Sequence, residues 1–104
     1  MLTLPIKRKW FDMIVSGEKR EEYREKDIYW ETRLEHAFGV PVFRAIADER
    51  CVQIRIRNGY RSDCPSILAA VTLHIGPGRS EWGAVPGQFY FRLHIHDFIW
   101  EVKR

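Results

Sequence analysis

The sequence has 104 residues and a formal net charge of +3, which fits one domain. Hydrophobic residues make up 45% of the chain, so it can form one core and lacks the composition of a disordered protein. The mildly basic charge permits a polyanionic partner without requiring one. We therefore predict a single domain over residues 1–104.

The chain also lacks the features of secreted and membrane proteins. No apolar run approaches the ~20 residues that span a bilayer, and the basic cluster at residues 7–9 follows the first apolar run, unlike the charges of a signal peptide. Cys51 and Cys64 have no CxxC spacing, which argues against a zinc knuckle or a redox pair. We expect a cytoplasmic protein with free thiols and no membrane association.

The first quarter of the chain predicts an edge strand and a helix. Residues 2–6 are an apolar strand candidate, and the proline within them suits the edge of a sheet. Residues 9–16 place their apolar side chains at helical spacing. Gly17 is positioned to end this helix in the left-handed conformation.

The next segments predict a short strand and a second helix. Residues 18–24 lack a helical apolar stripe and favour a strand. Residues 27–36 favour a helix that Asp27 caps, with Trp30 and Leu34 on one face. Residues 42–50 are compatible with either a helix or a strand.

Three alternating segments predict the remaining strands, over residues 51–57, 66–75 and 88–102. A Gly/Pro-rich loop at residues 76–87 separates the last two, and loops of this length in small domains are often functional. The final strands are typical of an antiparallel sheet with one wetted face. The predicted fold is α+β, a small and partly closed β-barrel flanked by short helices. The residues predicted to face the core on the last strand are Phe89, Phe91, Leu93 and Ile95, with Tyr90, Arg92, His94 and His96 facing outward.

The strongest functional signal lies between Gly17 and Arg24. Gly17, Lys19, Glu22 and Arg24 match the four fixed positions of a GxKxxExR signature, directly after a helix that ends at glycine. In this signature the chain resembles the ASCH domain family of the PUA-like superfamily. Further similar segments are Arg57-Asn58-Gly59-Tyr60, Glu81-Trp82-Gly83 and the final apolar strand.

This resemblance implies a PUA-like mixed or antiparallel β-barrel with two or three short helices, a cleft beside the first helix, and a role with RNA or modified nucleosides. Some small bacterial members hydrolyse the acetyl amide of N4-acetylcytidine-type compounds, and ribonuclease activity is also described. The deacylating members resemble GxKxxTxR, with a catalytic lysine and threonine. This sequence has Glu22 at the threonine position and Glu81 as a candidate for their later glutamate.

Lys19, Glu22 and Arg24 are the candidate catalytic and ligand-binding residues of the signature. On a strand Glu22 and Arg24 share a face, whereas Lys19 faces away unless the turn after the helix redirects it. If the three converge, burial and Arg24 lower the pKa of Lys19, and a neutral lysine or Glu22 could act as a base. The alternative is an ion-pair network with a structural role.

Four further residues are predicted to bind ligand at the rim of the cleft. Arg57 could contact phosphate, and Asn58 and Tyr60 follow it in the chain, where Tyr60 could stack on a base. Trp82 could form a wall over the cleft. The alternatives are a solvated sheet face and a tryptophan that anchors its loop.

Two other kinds of site are disfavoured by the sequence. His74, His94 and His96 could offer three imidazoles to zinc, but histidines on a wet strand face are ordinary, so we predict no metal. Cys64 has no histidine near it in sequence to activate it as a nucleophile.

We therefore predict a module that binds RNA or a modified nucleoside in the cleft of the signature, with no cofactor. The alternative is a small hydrolase, an amidohydrolase or ribonuclease, in which Lys19 and Glu22 are catalytic. A third possibility is a module that binds only protein, although the sequence identifies no protein partner.

Overall fold

Five strands and three α-helices form within residues 1–102, the part of the chain that the computed structural model describes. A single turn of 3-10 helix lies between the last two strands. In chain order the elements are β1 Thr3–Ile6, α1 Arg8–Val15, β2 Glu21–Glu25, α2 Ile28–Phe38, α3 Val42–Ala47, β3 Cys51–Asn58, β4 Ser66–Pro77, the 3-10 turn Ser80–Trp82 and β5 Phe89–Trp100.

The ends of the first two helices have local causes that confirm the predictions. Helix α1 stops because Gly17 adopts φ +85°, in the left-handed region that favours glycine. The carboxylate of Asp27 accepts a hydrogen bond from the backbone N–H of Trp30 at 2.9 Å and so caps α2. Gly39 ends α2 at φ +75°.

Residues 42–50, which the sequence left between helix and strand, begin with the short helix α3. Pro41 precedes it, where proline fixes a suitable backbone angle. The carboxylate of Glu35 accepts a hydrogen bond from the N–H of Val42 at 2.7 Å. This contact joins α2 to α3 and satisfies one of the unpaired donors at the start of the helix.

The five strands form one sheet in the order β1-β3-β4-β5-β2, curled into a half-barrel. β1 runs parallel to β3, and every other neighbouring pair is antiparallel. β1 and β2 therefore lie at the two edges of the sheet, although they are close in sequence. The prediction of an edge strand at residues 2–6 is confirmed, and so is the α+β class.

The core fills the concave side of the half-barrel, where the inner face of the sheet meets the helices. Leu4, Ile54, Ile67 and Leu93 have essentially no exposed surface, and burial of this kind contributes about 25 cal/mol per Å² of apolar surface. The other core residues of the helices and strands are Leu2, Ile6, Phe11, Ile14, Leu34, Phe38, Val42, Ala45, Ile56, Ala69, Val71, Leu73, Phe91 and Ile95.

The prediction for the start of β5 was wrong at two positions. Phe91, Leu93 and Ile95 are buried as expected, but Phe89 is 57% exposed and Tyr90 only 6% exposed. Phe89 lies at the end of the sheet beyond the core, opposite Pro77. Tyr90 is covered by the loop that precedes β5, whose Val85 donates its N–H to the Tyr90 hydroxyl at 2.9 Å.

A β-bulge changes the orientation of β5 near its middle. Opposite Ala70 and Val71 the register jumps from Asp97 to Ile95 and leaves His96 unpaired. Side chains beyond the bulge therefore switch faces. Among residues 1–102, no helix is long and apolar enough to cross a membrane.

Candidate functional site

The turn after α1 decides where the signature lysine points. The N–H of Lys19 donates to the carbonyl of Met13 at 2.9 Å, and Ser16 Oγ donates to the same carbonyl at 3.0 Å. These bonds fold residues 17–19 back against the helix before β2 begins. As a result Lys19 does not continue the strand alternation, and its side chain turns towards Glu22.

Lys19, Glu22 and Arg24 converge in a buried ion triad. Lys19 Nζ lies 2.8 Å from Glu22 Oε1, and Arg24 Nη1 lies 2.7 Å from Glu22 Oε2. Lys19 Nζ also donates to the backbone carbonyl of Glu21. The side chains of Lys19 and Glu22 are only 1% and 6% exposed, because Glu22 lies opposite Leu93 on the inner face of the sheet. Each carboxylate oxygen therefore has its own cation, as a buried charge requires.

Burial lowers the pKa of Lys19 below the usual lysine value, and the positive charge of Arg24 adds to this effect. The charge and hydrogen bond of Glu22 oppose the shift. The ammonium group also lies 5.1 Å from the centre of the Tyr23 ring and 5.7 Å from that of Trp10, within the range of cation–π attraction. The Lys19 ammonium therefore contacts the Trp10 and Tyr23 rings and holds the Glu22 carboxylate in place.

An aromatic cleft of about 430 Å³ opens beside this triad. Both edge strands contribute to it, so it occupies the gap between the two ends of the curled sheet. Glu22 and Arg24 reach its wall, and the Arg24 guanidinium lies 5.1 Å from the centre of the Trp30 ring. The lining residues of this aromatic cleft are Pro5, Ile6, Lys7, Trp10, Glu22, Tyr23, Arg24, Trp30, Tyr60, Trp82 and Gly83.

The structure brings four of the seven predicted ligand-binding residues to the wall of the aromatic cleft. These four are Glu22, Arg24, Tyr60 and Trp82. Lys19 lies behind the wall and reaches the cleft only through its contact with Glu22.

Arg57 and Asn58 are not among the lining residues. Asn58 pairs with Ile6 across the sheet and donates its N–H to the carbonyl of Pro65 at 2.8 Å. Arg57 lies opposite Ser66 in β3, and its buried Nε has no hydrogen-bond partner within residues 1–102.

Comparison of the chain with models of protein families, with curated proteins and with solved structures finds no match. The resemblance to the ASCH family therefore stays a prediction from the signature residues.

Three aromatic residues of the cleft were missed as functional residues by sequence reasoning. Trp10 and Trp30 fitted the apolar faces of their helices, and Tyr23 fitted a strand. All three line the cleft. The available signal was the concentration of aromatic residues on both sides of the GxKxxExR signature.

Glu81, predicted as a candidate for the later glutamate of the deacylating ASCH members, pairs with Arg79 and not with the triad. Its Oε1 lies 3.4 Å from Arg79 Nη1, and its side chain is 59% exposed. It does not line the aromatic cleft, whereas Trp82 beside it does.

The three histidines on the outer face of the sheet lie close together. Thr72 Oγ1 is 2.8 Å from His96 Nε2 and 3.1 Å from His74 Nε2. Burial is the main cause that lowers the pKa of His74, and Arg92 adds to it. Within residues 1–102, no three His, Cys, Asp or Glu side chains are arranged to hold a metal ion. Cys51 and Cys64 are not joined by a disulfide.

Proposed function

We propose that the chain is a PUA-like module of the ASCH type that binds RNA or a modified nucleoside, with one base held in the aromatic cleft. The observation that carries this proposal is the lining of the cleft, where five aromatic rings surround a carboxylate and a guanidinium. Unpaired bases are recognised in this way, by stacking on aromatic side chains and by hydrogen bonds along their edges. Stacking contributes about 1–3 kcal/mol per base.

The triad determines which edge of a base fits. A carboxylate offers about four lone-pair positions, and the two cations of Glu22 occupy one on each oxygen. The remaining positions can accept an N–H from a base. Arg24 donates Nη1 to Glu22 and to the carbonyl of Tyr23, and its other N–H groups can donate to a base carbonyl. Every base presents an N–H donor beside an acceptor along one edge, cytosine and guanine among them, and such an edge matches this pair.

Tryptophan fluorescence tests the proposal directly, because Trp10, Trp30 and Trp82 line the cleft and Trp100 does not. In a Trp100→Phe background all tryptophan emission comes from the cleft. We expect cytidine, guanosine, N4-acetylcytidine or a short single-stranded RNA to quench this emission with saturation.

Replacing Trp30 by Ala should then weaken binding about 5- to 150-fold, the equivalent of 1–3 kcal/mol. The matched control is Arg44→Gln, which changes an exposed residue of α3 far from the lining residues and should leave the affinity unchanged. Emission that no nucleoside or RNA alters would contradict the proposal.

One observation favours the hydrolase alternative. Burial lowers the pKa of Lys19, and once its ammonium group has passed a proton to Glu22, 2.8 Å away, the neutral amine can act as a base. In this case water would add to the acetyl carbonyl of N4-acetylcytidine, and the C–N bond would break to give acetate and cytidine. The buried position of Lys19 requires that Glu22 move or that the proton pass through it.

Turnover separates the two functions. The binding module leaves N4-acetylcytidine intact, whereas the hydrolase releases cytidine and loses all activity in Lys19→Met. Chromatography of the nucleoside after incubation with each protein gives the answer. Released cytidine that persists in Lys19→Met would exclude Lys19 as the catalytic base.

A further inference from the structure

A second depression, of about 390 Å³, lies on the outer face of the sheet next to the aromatic cleft. We call it the basic groove, because three arginines and a histidine line it. Trp82 lines both the basic groove and the aromatic cleft, so one indole ring forms the wall between them. The lining residues of the basic groove are Arg20, Glu21, Pro77, Gly78, Arg79, Trp82, Arg92 and His94.

Both oxygens of the one carboxylate that lines the groove already accept hydrogen bonds. Glu21 Oε1 accepts a hydrogen bond from the Tyr23 hydroxyl at 3.0 Å, and Oε2 accepts one from Arg92 Nη1 at 3.1 Å. His94 Nδ1 lies 3.8 Å from the same Oε2. Glu21 is therefore a positioning residue that holds Arg92 and His94 on the outer face, and its one negative charge leaves the groove with an excess of cations.

Two arginines of the groove have donor groups without a partner within residues 1–102. Arg20 is exposed and forms no ion pair in this part of the chain. Arg92 Nε is buried and has no hydrogen-bond partner in the same part of the chain. The Arg79 guanidinium pairs with the exposed Glu81 through Nη1 at 3.4 Å and lies 4.8 Å from the centre of the Trp82 ring, which places a third planar cation at the wall shared with the aromatic cleft.

The two depressions are also fixed to each other by Tyr23. Its ring lines the aromatic cleft, while its hydroxyl donates to Glu21 and accepts the backbone N–H of Arg79 at 2.9 Å. The guanidinium groups of the basic groove thus lie at a fixed position relative to a ligand in the aromatic cleft, on the other side of Trp82. Arginine binds phosphate well because its planar N–H groups match the phosphate oxygens.

We propose that the basic groove binds the phosphate of the nucleotide whose base occupies the aromatic cleft. The ligand is then a phosphorylated nucleotide, free or within a single strand, and not a free nucleoside. This inference rests on the proposed function, since the aromatic cleft must hold the base for the basic groove to meet its phosphate.

The test compares the affinities of cytidine, cytidine 5′-monophosphate, cytidine 3′-monophosphate and the dinucleotide CpC, measured by the same tryptophan quenching. We expect at least one phosphorylated ligand to bind about tenfold more tightly than cytidine or better, as charge-assisted bonds to phosphate produce. Added salt should reduce this gain, because the interaction is electrostatic. A gain with the monophosphates identifies a free nucleotide as sufficient, and a gain with CpC alone identifies a strand.

Arg20→Gln should reduce the phosphate gain and leave the affinity for cytidine unchanged, and Arg92→Gln should also reduce the gain. Arg20→Gln breaks no ion pair of the described residues, so its folding is not at issue, and Arg44→Gln is the matched loss of charge outside the groove. Equal affinity for all four ligands, or a gain that survives both substitutions, would overturn the proposal that the basic groove binds phosphate. The proposal that the aromatic cleft binds a base would remain. Absence of binding by every ligand overturns the groove and the proposed function together.

Discussion

At the scale of single residues, Glu22 is the centre of the site because it lies between two cations. Its carboxylate bonds Lys19 on one oxygen and Arg24 on the other, in a place where the lysine and glutamate side chains have almost no exposed surface. A buried pair of this kind adds little over apolar packing, but the removal of one partner leaves an uncompensated charge. A threonine at this position could not form this clamp, because it carries no negative charge.

We therefore expect Glu22→Gln to reduce the free energy of unfolding by about 3 kcal/mol or more, measured by urea denaturation at neutral pH. The amide keeps the shape of the side chain, removes its charge and replaces one acceptor oxygen by an NH2 donor. Asp12→Asn is the matched control, since the Arg8–Asp12 pair is exposed and should contribute less than about 1 kcal/mol. Equal effects of the two substitutions would show that the triad is not the buried unit described above.

Tyr23 and Lys19 give the site a pH dependence of opposite signs. Burial raises the pKa of Tyr23 from 10.0 to about 12, so the folded protein binds its proton more tightly than the unfolded chain does. Tyr23 therefore makes its full contribution to the free energy of unfolding below pH 10, and this contribution is lost as the pH rises towards 12. The pKa of Lys19 is lowered from 10.5, so its contribution improves as the pH rises towards 10.5.

Titration of the tyrosine absorbance should therefore show one hydroxyl that ionises near pH 12. That step should be missing in Tyr23→Phe. The variant should also lose less stability between pH 10 and 12 than the wild type does. If all tyrosines of the wild type ionise together near pH 10, the Tyr23 hydroxyl is not buried in solution as described above.

At the scale of elements, the loop between β4 and β5 connects the aromatic cleft with the basic groove. It packs closely on β2, because a methyl group added at Gly78 would lie 2.7 Å from the Tyr23 ring and 2.8 Å from Ala84. Only glycine permits this approach. The loop carries Arg79 and Trp82, so its packing against the Tyr23 ring positions both side chains.

Gly78→Ala should displace this loop. We expect a loss of about 1–3 kcal/mol in the free energy of unfolding, the usual cost of overpacking, together with weaker quenching by nucleosides. Gly76→Ala is the matched control, since its added methyl would meet Arg92 at an ordinary 3.5 Å. If Gly78→Ala binds nucleosides as the wild type does, the loop does not position Trp82 in the cleft.

At the scale of the whole molecule, the sequence was sufficient for the α+β class and for every strand and α-helix except α3, which it left between helix and strand. The helix ends depend on the local properties of Gly17, Asp27 and Gly39, and the alternation of apolar and polar residues indicated the long strands. The error at Phe89 arose because the strand extends beyond the core, and the error at Tyr90 because the preceding loop folds over that side chain. Alternation along the strand encodes neither contact.

The site was less accessible from the sequence, because its walls come from both edges of the sheet. Glu22 and Arg24 belong to one motif, but Tyr60 and Trp82 reach the same cleft only after the sheet curls. The direction of Lys19 depends on backbone bonds to Met13 within the turn, which strand alternation does not describe. Neither fact could be derived before the tertiary structure.

The curled sheet makes a further prediction, because the aromatic cleft joins its two open edges. β1 has only β3 as a neighbour and β2 has only β5, so both edges should open locally at a lower free energy than β4 in the centre. A base that contacts Ile6 on one edge and Glu22 on the other should hold the two edges together. Hydrogen exchange followed by mass spectrometry should therefore slow in β1 and β2 when the tightest-binding nucleoside is added.

Helix α3 provides the internal control for this experiment, since none of its residues lines the aromatic cleft, and its exchange should not change. The Trp30→Ala variant at the same nucleoside concentration should show little protection anywhere, because the base has lost a stacking surface. Protection of α3 without protection of β1 and β2 would place the ligand in the apolar depression beside Phe43 instead. Protection of one edge alone would mean that the base contacts only that strand and does not connect β1 with β2.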